Sequence, residues 1–187
     1  MSSMNHFQVA RACVHLREGG VIAYPTEAVW GLGCDPFDQR AVETLLQLKQ
    51  RPVDKGMILV TGQMDHFSCF IDPLDDRKQA ILRKSWPGPV TWLLPDPVGI
   101  PCWIKGEHAK VALRVSTHPA IVALTARFGG PIVSTSANPA GKAPALSALR
   151  VRQYFGDNID GILSGPLGQS GKPTPIYDIE DGVALRI

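Results

Sequence analysis

Short apolar stretches alternate with amphipathic stretches along this chain, and this alternation restricts the fold more than any other feature. Residues 21–24, 57–60 and 111–115 are apolar runs bounded by turn residues, and they are too short for buried helices. They are predicted to be strands, and the same reasoning predicts strands at residues 90–94, 131–134, 161–163, 176–179 and 183–187. The 18 glycines and 16 prolines of the 187 residues suit a protein of short strands and many turns.

Helices are predicted between these strands from spacing and capping residues. Val9, Cys13 and Leu16 share one face of a helix over residues 5–18, and Asp38 caps a second helix that Pro52 ends. Further helices are predicted at residues 75–85 and 146–154, and between the strands at 111–115 and 131–134, with Thr117 as the cap. The order lacks strict βαβ spacing, so we predict one α/β domain over residues 1–187, with a mixed parallel and antiparallel sheet and helices on its faces.

Composition and charge exclude several classes of protein. The formal charge is only +2, so an anion site must come from local placement of cations, since nucleic-acid-binding proteins are usually more basic. The four cysteines form no CxxC pair, which argues against a protein-held metal and against a disulfide framework. No signal-peptide pattern opens the chain and no apolar run approaches about 20 residues, so a cytoplasmic protein without a membrane partner is expected.

Polar residues follow the first predicted strand directly. Pro25 turns the chain, and Thr26 and Glu27 lie at the carboxyl end of the strand, which is where α/β sheets bind ligands. A turn closed by the threonine hydroxyl explains Thr26 equally well.

A cluster of cations follows the second helix. Lys49, Arg51 and Lys55 lie within seven residues, and Pro52 biases Arg51 toward an extended conformation in which Lys49 and Arg51 point the same way. They predict a clamp for a polyphosphate, although cations also stabilise a helix C-terminus by about 0.3–1 kcal/mol without any ligand.

Two later segments add hydroxyls and cations. An apolar strand ends in Ser134-Thr-Ser-Ala-Asn138, which can bind phosphate or carboxylate or can form a polar turn. Lys110 and Arg114 project to the same face of another strand. Arg114 lies among apolar neighbours and needs a partner, either a structural carboxylate or a bound anion.

Taken together, these segments resemble the YrdC-like family. The resemblance covers residues 20–145 in the family's order and rests on Tyr24-Pro-Thr-Glu-Ala-Val-Trp-Gly-Leu-Gly33, Lys49-Gln-Arg-Pro52, Trp86-Pro-Gly-Pro-Val-Thr91, Leu113-Arg-Val115 and Ser134-Thr-Ser-Ala-Asn138. Near the C-terminus, Pro173-Thr-Pro-Ile-Tyr-Asp178 is similar to a further family segment.

The resemblance implies a twisted open sheet around a basic concave cleft and a nucleotidyltransferase activity. ATP, L-threonine and bicarbonate would give L-threonylcarbamoyl-adenylate and pyrophosphate, with Mg²⁺ arriving on ATP and not in a dedicated protein site. The product would feed threonylcarbamoylation of the adenosine beside the anticodon in ANN-decoding tRNAs, carried out in bacteria with TsaD, TsaB and TsaE.

The family's functional positions transfer residue by residue. Catalytic roles fall on Lys49 and Arg51, and contacts to threonine or bicarbonate on Thr26, Arg114 and Ser134. Contacts to the nucleotide are implied for Lys49, Arg51, Lys55, Lys110, Ser136, Asn138, Thr174 and Arg186.

Two other functions stay open at this point. A non-catalytic module could use the same basic cleft to hold tRNA or another RNA duplex, although 7% aromatic residues and the low charge weigh against it. Carbamoyl or acyl transfer to a different acceptor is the third possibility. The Gly- and Pro-rich segment at residues 164–175 is predicted to be a long mobile loop, and loops of that length are often functional.

Overall fold

A computed structural model describes residues 5–170 and 174–186, with the side chain of Arg186 outside the described part. The helices are α1 (His6–Arg17), α2 (Gln39–Lys49), α3 (Ser68–Ile71), α4 (Asp76–Ser85), α5 (Cys102–Lys105), α6 (Pro119–Phe128) and α7 (Ala148–Phe155). The strands are β1 (Ile22–Pro25), β2 (Trp30–Gly33), β3 (Ile58–Thr61), β4 (Thr91–Pro95), β5 (Lys110–Val115), β6 (Ile132–Ser136), β7 (Gly161–Ile162), β8 (Ile176–Asp178) and β9 (Ala184–Arg186).

Side-chain caps begin most of the longer helices. Asp38 accepts a hydrogen bond from Ala41 N at 3.1 Å, as its position before α2 predicted. The prediction of Thr117 as a cap is wrong, because His118 accepts from Ala120 N at the start of α6. The helix predicted from residue 146 begins two residues later, because Ser147 is its cap.

Helix α2 ends earlier than Pro52 requires. Gln50 adopts the left-handed conformation with φ of 51°, and its backbone N–H bonds to the carbonyl of Gln47. The chain therefore leaves the helix directly after Lys49, which turns Lys49 and Arg51 toward different surroundings.

The strands form one sheet in the order β7-β1-β2-β6-β3-β5-β4-β8-β9. Pairs β1–β7, β3–β5 and β4–β8 are parallel and the remaining pairs are antiparallel, which confirms the predicted mixed α/β sheet with helices. Strand β2 was missed because glycines are weak strand formers. A side chain at Gly33 would put its Cβ 2.5 Å from the Val133 carbonyl oxygen, so a close backbone approach explains the residue.

The two faces of the sheet are covered unequally. In β5, Val111, Leu113 and Val115 are fully buried in the larger apolar core, to which α2 contributes. On the opposite face, α1 and α6 pack over β1 and parts of β3 and β6. Beyond α1 and α6 this face is uncovered, and Lys110, Ala112 and Arg114 of β5 line a cavity there. Within the described ranges, no helix is long and apolar enough to cross a lipid bilayer.

Candidate substrate-binding cavity

The uncovered part of the sheet forms the floor of a cavity of about 420 Å³, called the substrate cavity below. Its floor includes three small residues, Gly31, Ala112 and Ser134. Ser134 and Ala112 lie on either side of Ile58 of β3, which pairs with both, and Gly31 of β2 pairs with Ser136 of β6. Small side chains across several central strands leave a hollow of the size that small-molecule sites usually have.

Cations surround this hollow. Its lining contains five basic residues, namely Arg51, Lys55, Lys105, Lys110 and Arg114. No carboxylate side chain lines it among the residues that the structure describes. The local field therefore favours an anion, although the whole molecule carries a formal charge of only +2.

Most of the residues singled out from the sequence meet at this cavity. Its lining includes Thr26, Arg51, Lys55, Lys110, Arg114, Ser134, Ser136 and Thr174. Lys49 and Asn138 are not among the lining residues. The predicted contact from Arg186 lies outside the described side chains.

Lys49 lies behind the cavity wall. Its ammonium donates to the carbonyl of Ser136 and, at 2.9 Å, to the carbonyl of Asn138, and the residue is 5% exposed. The expectation that Lys49 and Arg51 point the same way is therefore wrong. In this position Lys49 holds the end of β6 against the end of α2, and the Asn138 amide closes the same loop by donating to the Lys142 carbonyl at 2.7 Å.

The buried ammonium of Lys49 gives stability a pH dependence. Burial, and to a smaller extent the Arg51 cation, lowers the pKa of Lys49 from 10.5 to about 8. Between those values the unfolded chain holds the proton and the folded chain releases it, so the free energy of unfolding gains a contribution that grows as pH rises.

Lys49→Met should remove this contribution. The free energy of unfolding of the wild type, minus that of the variant, is expected to increase by about 2 kcal/mol between about pH 7 and about pH 10, measured by urea denaturation. Other titrating groups are common to both proteins and cancel. A difference that stays constant over this range would contradict a buried, charged Lys49.

Arg51 faces the cavity from a segment that it also holds. Its Nη2 donates to the Gly56 carbonyl at 2.9 Å and to the Lys55 carbonyl at 3.3 Å. Its Nε is buried and meets no acceptor among the described residues. Burial lowers the pKa of Arg51, yet a guanidinium remains charged near neutral pH. Arg51 therefore brings a charged guanidinium to the cavity lining, where a phosphate oxygen would be a suitable acceptor.

Thr26 both closes a turn and lines the cavity, the two roles that its sequence position allowed. Its hydroxyl donates to the Val29 carbonyl at 2.7 Å, which closes the turn between β1 and β2, and the residue also lines the cavity. Because the hydroxyl proton is already used, Thr26 Oγ1 can only accept from a ligand. An ammonium or hydroxyl group is the matching donor.

Arg114 is held at both edges of its guanidinium. Nη2 lies 2.6 Å from Glu27 Oε2, and Nη1 donates to Thr174 Oγ1 at 2.5 Å. Its partner within the protein is thus a carboxylate, one of the two partners considered from the sequence. Glu27 is not a lining residue, so Arg114 lies between this carboxylate and the cavity.

Two lysines of the lining also have acidic partners set back from the hollow. Lys110 Nζ lies 2.5 Å from Asp178 Oδ2, and Lys105 Nζ lies 2.7 Å from Asp96 Oδ2. Burial opposes ionisation of Asp178, but the Lys110 ammonium and the Glu180 backbone N–H together outweigh it and lower the pKa of Asp178. These pairs fix the directions of the two ammonium groups and reduce their net charge.

Lys105 and His108 were missed by sequence reasoning. Both line the cavity beside Gly56, where a Cβ would lie 2.9 Å from the Lys105 carbonyl oxygen. No motif marks residues 102–108, since α5 is one short turn whose position depends on packing against the segment 53–55. The positive φ of Gly106, which is 64°, is the sole local sign of a tight turn there.

Part of the predicted mobile loop is tied to the site. Gly168 N donates to the Thr26 carbonyl at 2.9 Å, and Ser170 N donates to the Glu27 carbonyl at 3.1 Å. A Cβ on Gly168 would fall 2.7 Å from Glu27 Cα, so a larger residue does not fit there. Residues 171–173 lie outside the described part of the chain, and Thr174 lines the cavity again.

Comparison with known proteins gives consistent matches over nearly the whole chain. The Sua5/YciO/YrdC family model, described as telomere recombination, matches residues 14–186. A threonylcarbamoyl-AMP synthase of Cellvibrio japonicus is 53% identical over 171 residues, covering 91% of this chain and 90% of that protein. A threonylcarbamoyl-AMP synthase of Marinobacter nauticus is 51% identical over 186 residues, covering 99% of this chain and 98% of that protein.

A solved structure supports the same relationship. P. abyssi Sua5 complexed with L-threonine superposes with a TM-score of 0.88 at 28% identity, covering 96% of this chain and 53% of that one. This chain therefore spans about half the length of that protein. With the family model covering residues 14–186, these matches establish that the chain belongs to the Sua5/YciO/YrdC family.

Proposed function

We propose that this protein is an L-threonylcarbamoyladenylate synthase, a nucleotidyltransferase that uses ATP, L-threonine and bicarbonate. The observation that carries the proposal is the convergence of Arg51 and Lys55 with Arg114 and Thr26 around one cavity whose described lining lacks a carboxylate. The relatives named threonylcarbamoyl-AMP synthase, and the Sua5 structure with L-threonine, support this reaction over RNA binding without catalysis.

The proposed chemistry joins two anions. The threonine amine and bicarbonate give a carbamate with loss of water. A carbamate oxygen then forms a bond to the α-phosphorus of ATP, the bond to the bridging oxygen breaks, and pyrophosphate leaves. Because the carbamate is already an anion, the main demand is for preorganised positive charge and hydrogen-bond donors.

We assign the two ends of the cavity different parts of the substrates. Arg51 and Lys55, with Ser136 nearby, would hold the phosphates, because an arginine fork and a lysine point charge suit phosphate oxygens. Arg114 and Thr26 would take the carboxylate and the amine or hydroxyl of threonine. Lys49 and Asn138 would contribute by holding the end of β6, where Ser136 lies, and the loop that follows it.

Mg²⁺ fits this site only as a companion of ATP. Since the described lining offers cations and hydroxyls, phosphate oxygens and water would be its ligands, and it would neutralise charge on the leaving pyrophosphate. We further propose that the product passes to TsaD, working with TsaB and TsaE, for transfer to tRNA. We also propose a cytoplasmic location, because ATP and the tRNA that would receive the threonylcarbamoyl group are found there.

Pyrophosphate release tests the function directly. We expect release only when ATP, L-threonine and bicarbonate are all present, with the adenylate detected by mass spectrometry. Release that is indifferent to threonine, or equal with serine, would indicate another acceptor. Salt-dependent RNA binding without threonine-dependent release would favour the RNA-binding module instead.

A further inference from the structure

We propose that Glu27 and Ser116 are positioning residues that set the orientation and net charge of Arg114, and thereby reserve one end of the cavity for the amino-acid substrate. The inference deepens the proposed function and rests on it. Neither residue lines the cavity, so each would act through Arg114.

Ser116 fixes the direction of the first contact. It is fully buried, and its hydroxyl oxygen accepts from His118 N at 3.0 Å. Its proton is donated to Glu27 Oε1 at 2.6 Å. Because the backbone N–H already occupies an acceptor site on the hydroxyl, Ser116 presents its proton to Glu27 and orients the carboxylate.

Glu27 passes that orientation on to Arg114. With Oε1 engaged by Ser116, Oε2 lies 2.6 Å from Arg114 Nη2, and the exposed fractions of the two side chains are 15% and 12%. Main-chain contacts hold Glu27 as well, since Ser170 N donates to its carbonyl at 3.1 Å. Thr174 fixes the other edge of the guanidinium. Contacts from three separate segments thus fix the direction of the Arg114 guanidinium.

The guanidinium is not saturated by these contacts. The approach of Glu27 is close but poorly aligned for a hydrogen bond, and neither Nε nor Nη2 of Arg114 makes one to any residue in the described ranges. Both atoms are buried in this arrangement, and Arg114 would meet a ligand through the part of its side chain that lines the cavity. A carboxylate suits an arginine, which can bind it through two parallel hydrogen bonds. A single carboxylate or carbamate of the amino acid is therefore the matching ligand.

The charge of Glu27 gives a reason for selectivity. An unpaired Arg114 would attract a triphosphate or pyrophosphate more strongly than an amino acid, because Coulomb attraction grows with ligand charge. Pairing with Glu27 lowers the net charge at this end, whereas no carboxylate of the described residues lies within ion-pair distance of Arg51 or Lys55. Asp54 acts on Arg51 only from farther away. Polyphosphate is thereby directed to the Arg51 end and the zwitterionic amino acid to the Arg114 end.

Two substitutions and a matched control test the proposal. Glu27→Gln keeps the shape and the acceptor for Ser116 but removes the charge, and Ser116→Ala removes the orienting hydroxyl. Glu43→Gln is the control, because Glu43 is exposed on α2, lies outside the cavity lining and accepts a side-chain hydrogen bond from Gln39. Steady-state KM for threonine and for ATP, calorimetric binding of L-threonine, inhibition by pyrophosphate and the melting temperature are measured for each.

The expected result is weaker binding of threonine without a matching change in the KM for ATP. Glu27→Gln should raise KM and Kd for threonine about tenfold or more, change KM for ATP less than about twofold, and make pyrophosphate compete with threonine. Ser116→Ala should raise KM and Kd for threonine by a smaller factor, and Glu43→Gln should give the wild-type values. If Glu27→Gln fails to fold, the change in KM and Kd for threonine in Ser116→Ala tests the proposal.

Other outcomes overturn the proposal. Unchanged threonine affinity in both variants, or equal losses for threonine and ATP that follow a fall in melting temperature, would make Glu27 and Ser116 merely structural. Failure of the proposed function is distinguishable, because a wild type that binds threonine without releasing pyrophosphate refutes the reaction while calorimetry still tests the positioning. A wild type that does not bind threonine refutes both.

Discussion

Arg114→Met is expected to abolish threonine-dependent turnover and to lower the free energy of unfolding by about 3–5 kcal/mol. The substitution preserves most of the side-chain volume but leaves the Glu27 carboxylate, 15% exposed, without its cation. A buried charge that loses its partner is far more costly than the loss of a pair as a whole. Urea denaturation near neutral pH, together with calorimetry for L-threonine, measures the two effects.

The double variant Arg114→Met with Glu27→Gln separates stability from binding. Removing the stranded charge should recover most of the lost stability, since an amide can still accept from Ser116. Threonine binding should stay absent, because no guanidinium remains. Equal instability in the single and double variants would show that the ion pair of Arg114 and Glu27 does not control folding stability.

Arg51→Ala should reduce kcat/KM for ATP by about 10–150-fold, the equivalent of one charge-assisted hydrogen bond worth about 1.5–3 kcal/mol. The physical reason is the loss of a buried cation whose Nε has no acceptor within the described protein. The same change removes the hydrogen bonds to the Gly56 and Lys55 carbonyls, so stability should fall by about 1 kcal/mol. Steady-state kinetics with varied ATP at saturating threonine gives the first number and urea denaturation the second.

Arg40→Ala is the matched control for this substitution. Arg40 is an exposed cation on α2 outside the cavity lining, so its removal changes the net charge equally without touching the site. Kinetics of Arg40→Ala should equal those of the wild type. Near-normal turnover of a folded Arg51→Ala variant would remove Arg51 from the proposed phosphate clamp.

Local sequence signals predicted much of the fold. The predicted cap at Asp38 depends on one side chain and the next three backbone amides, and such a contact does not need the rest of the protein. Asn5 and Asp75, where two further helices were predicted to begin, are caps of the same local kind. The early strands were equally visible because short apolar runs between turn residues have few alternatives. Strand β2 could not be predicted, because Gly31 and Gly33 carry no apolar pattern. Their place in the sheet depends on the close approach of neighbouring backbone segments.

The candidate site shows the same division between what local sequence predicts and what long-range contacts decide. Cations and hydroxyls at Arg51, Lys55, Arg114 and Ser134 were recognisable as candidates because polar groups in apolar surroundings need partners. Their partners were not recognisable, since Glu27 meets an arginine 87 residues away only when β5 and the turn after β1 come together. The inward turn of Lys49 toward two carbonyls of the loop after β6 is a long-range contact of the same kind.

By itself, the sequence determined the class of the fold, the places where polar groups follow apolar strands, and a charge too low for a general attraction to nucleic acid. Those properties come from composition and from neighbours along the chain. Only the tertiary structure decided which cations face the cavity, which are neutralised by acidic partners behind it, and that Lys105 and His108 join the lining. The reason is physical: burial and charge pairing depend on distances between segments remote in sequence, and those distances exist only after the sheet has formed.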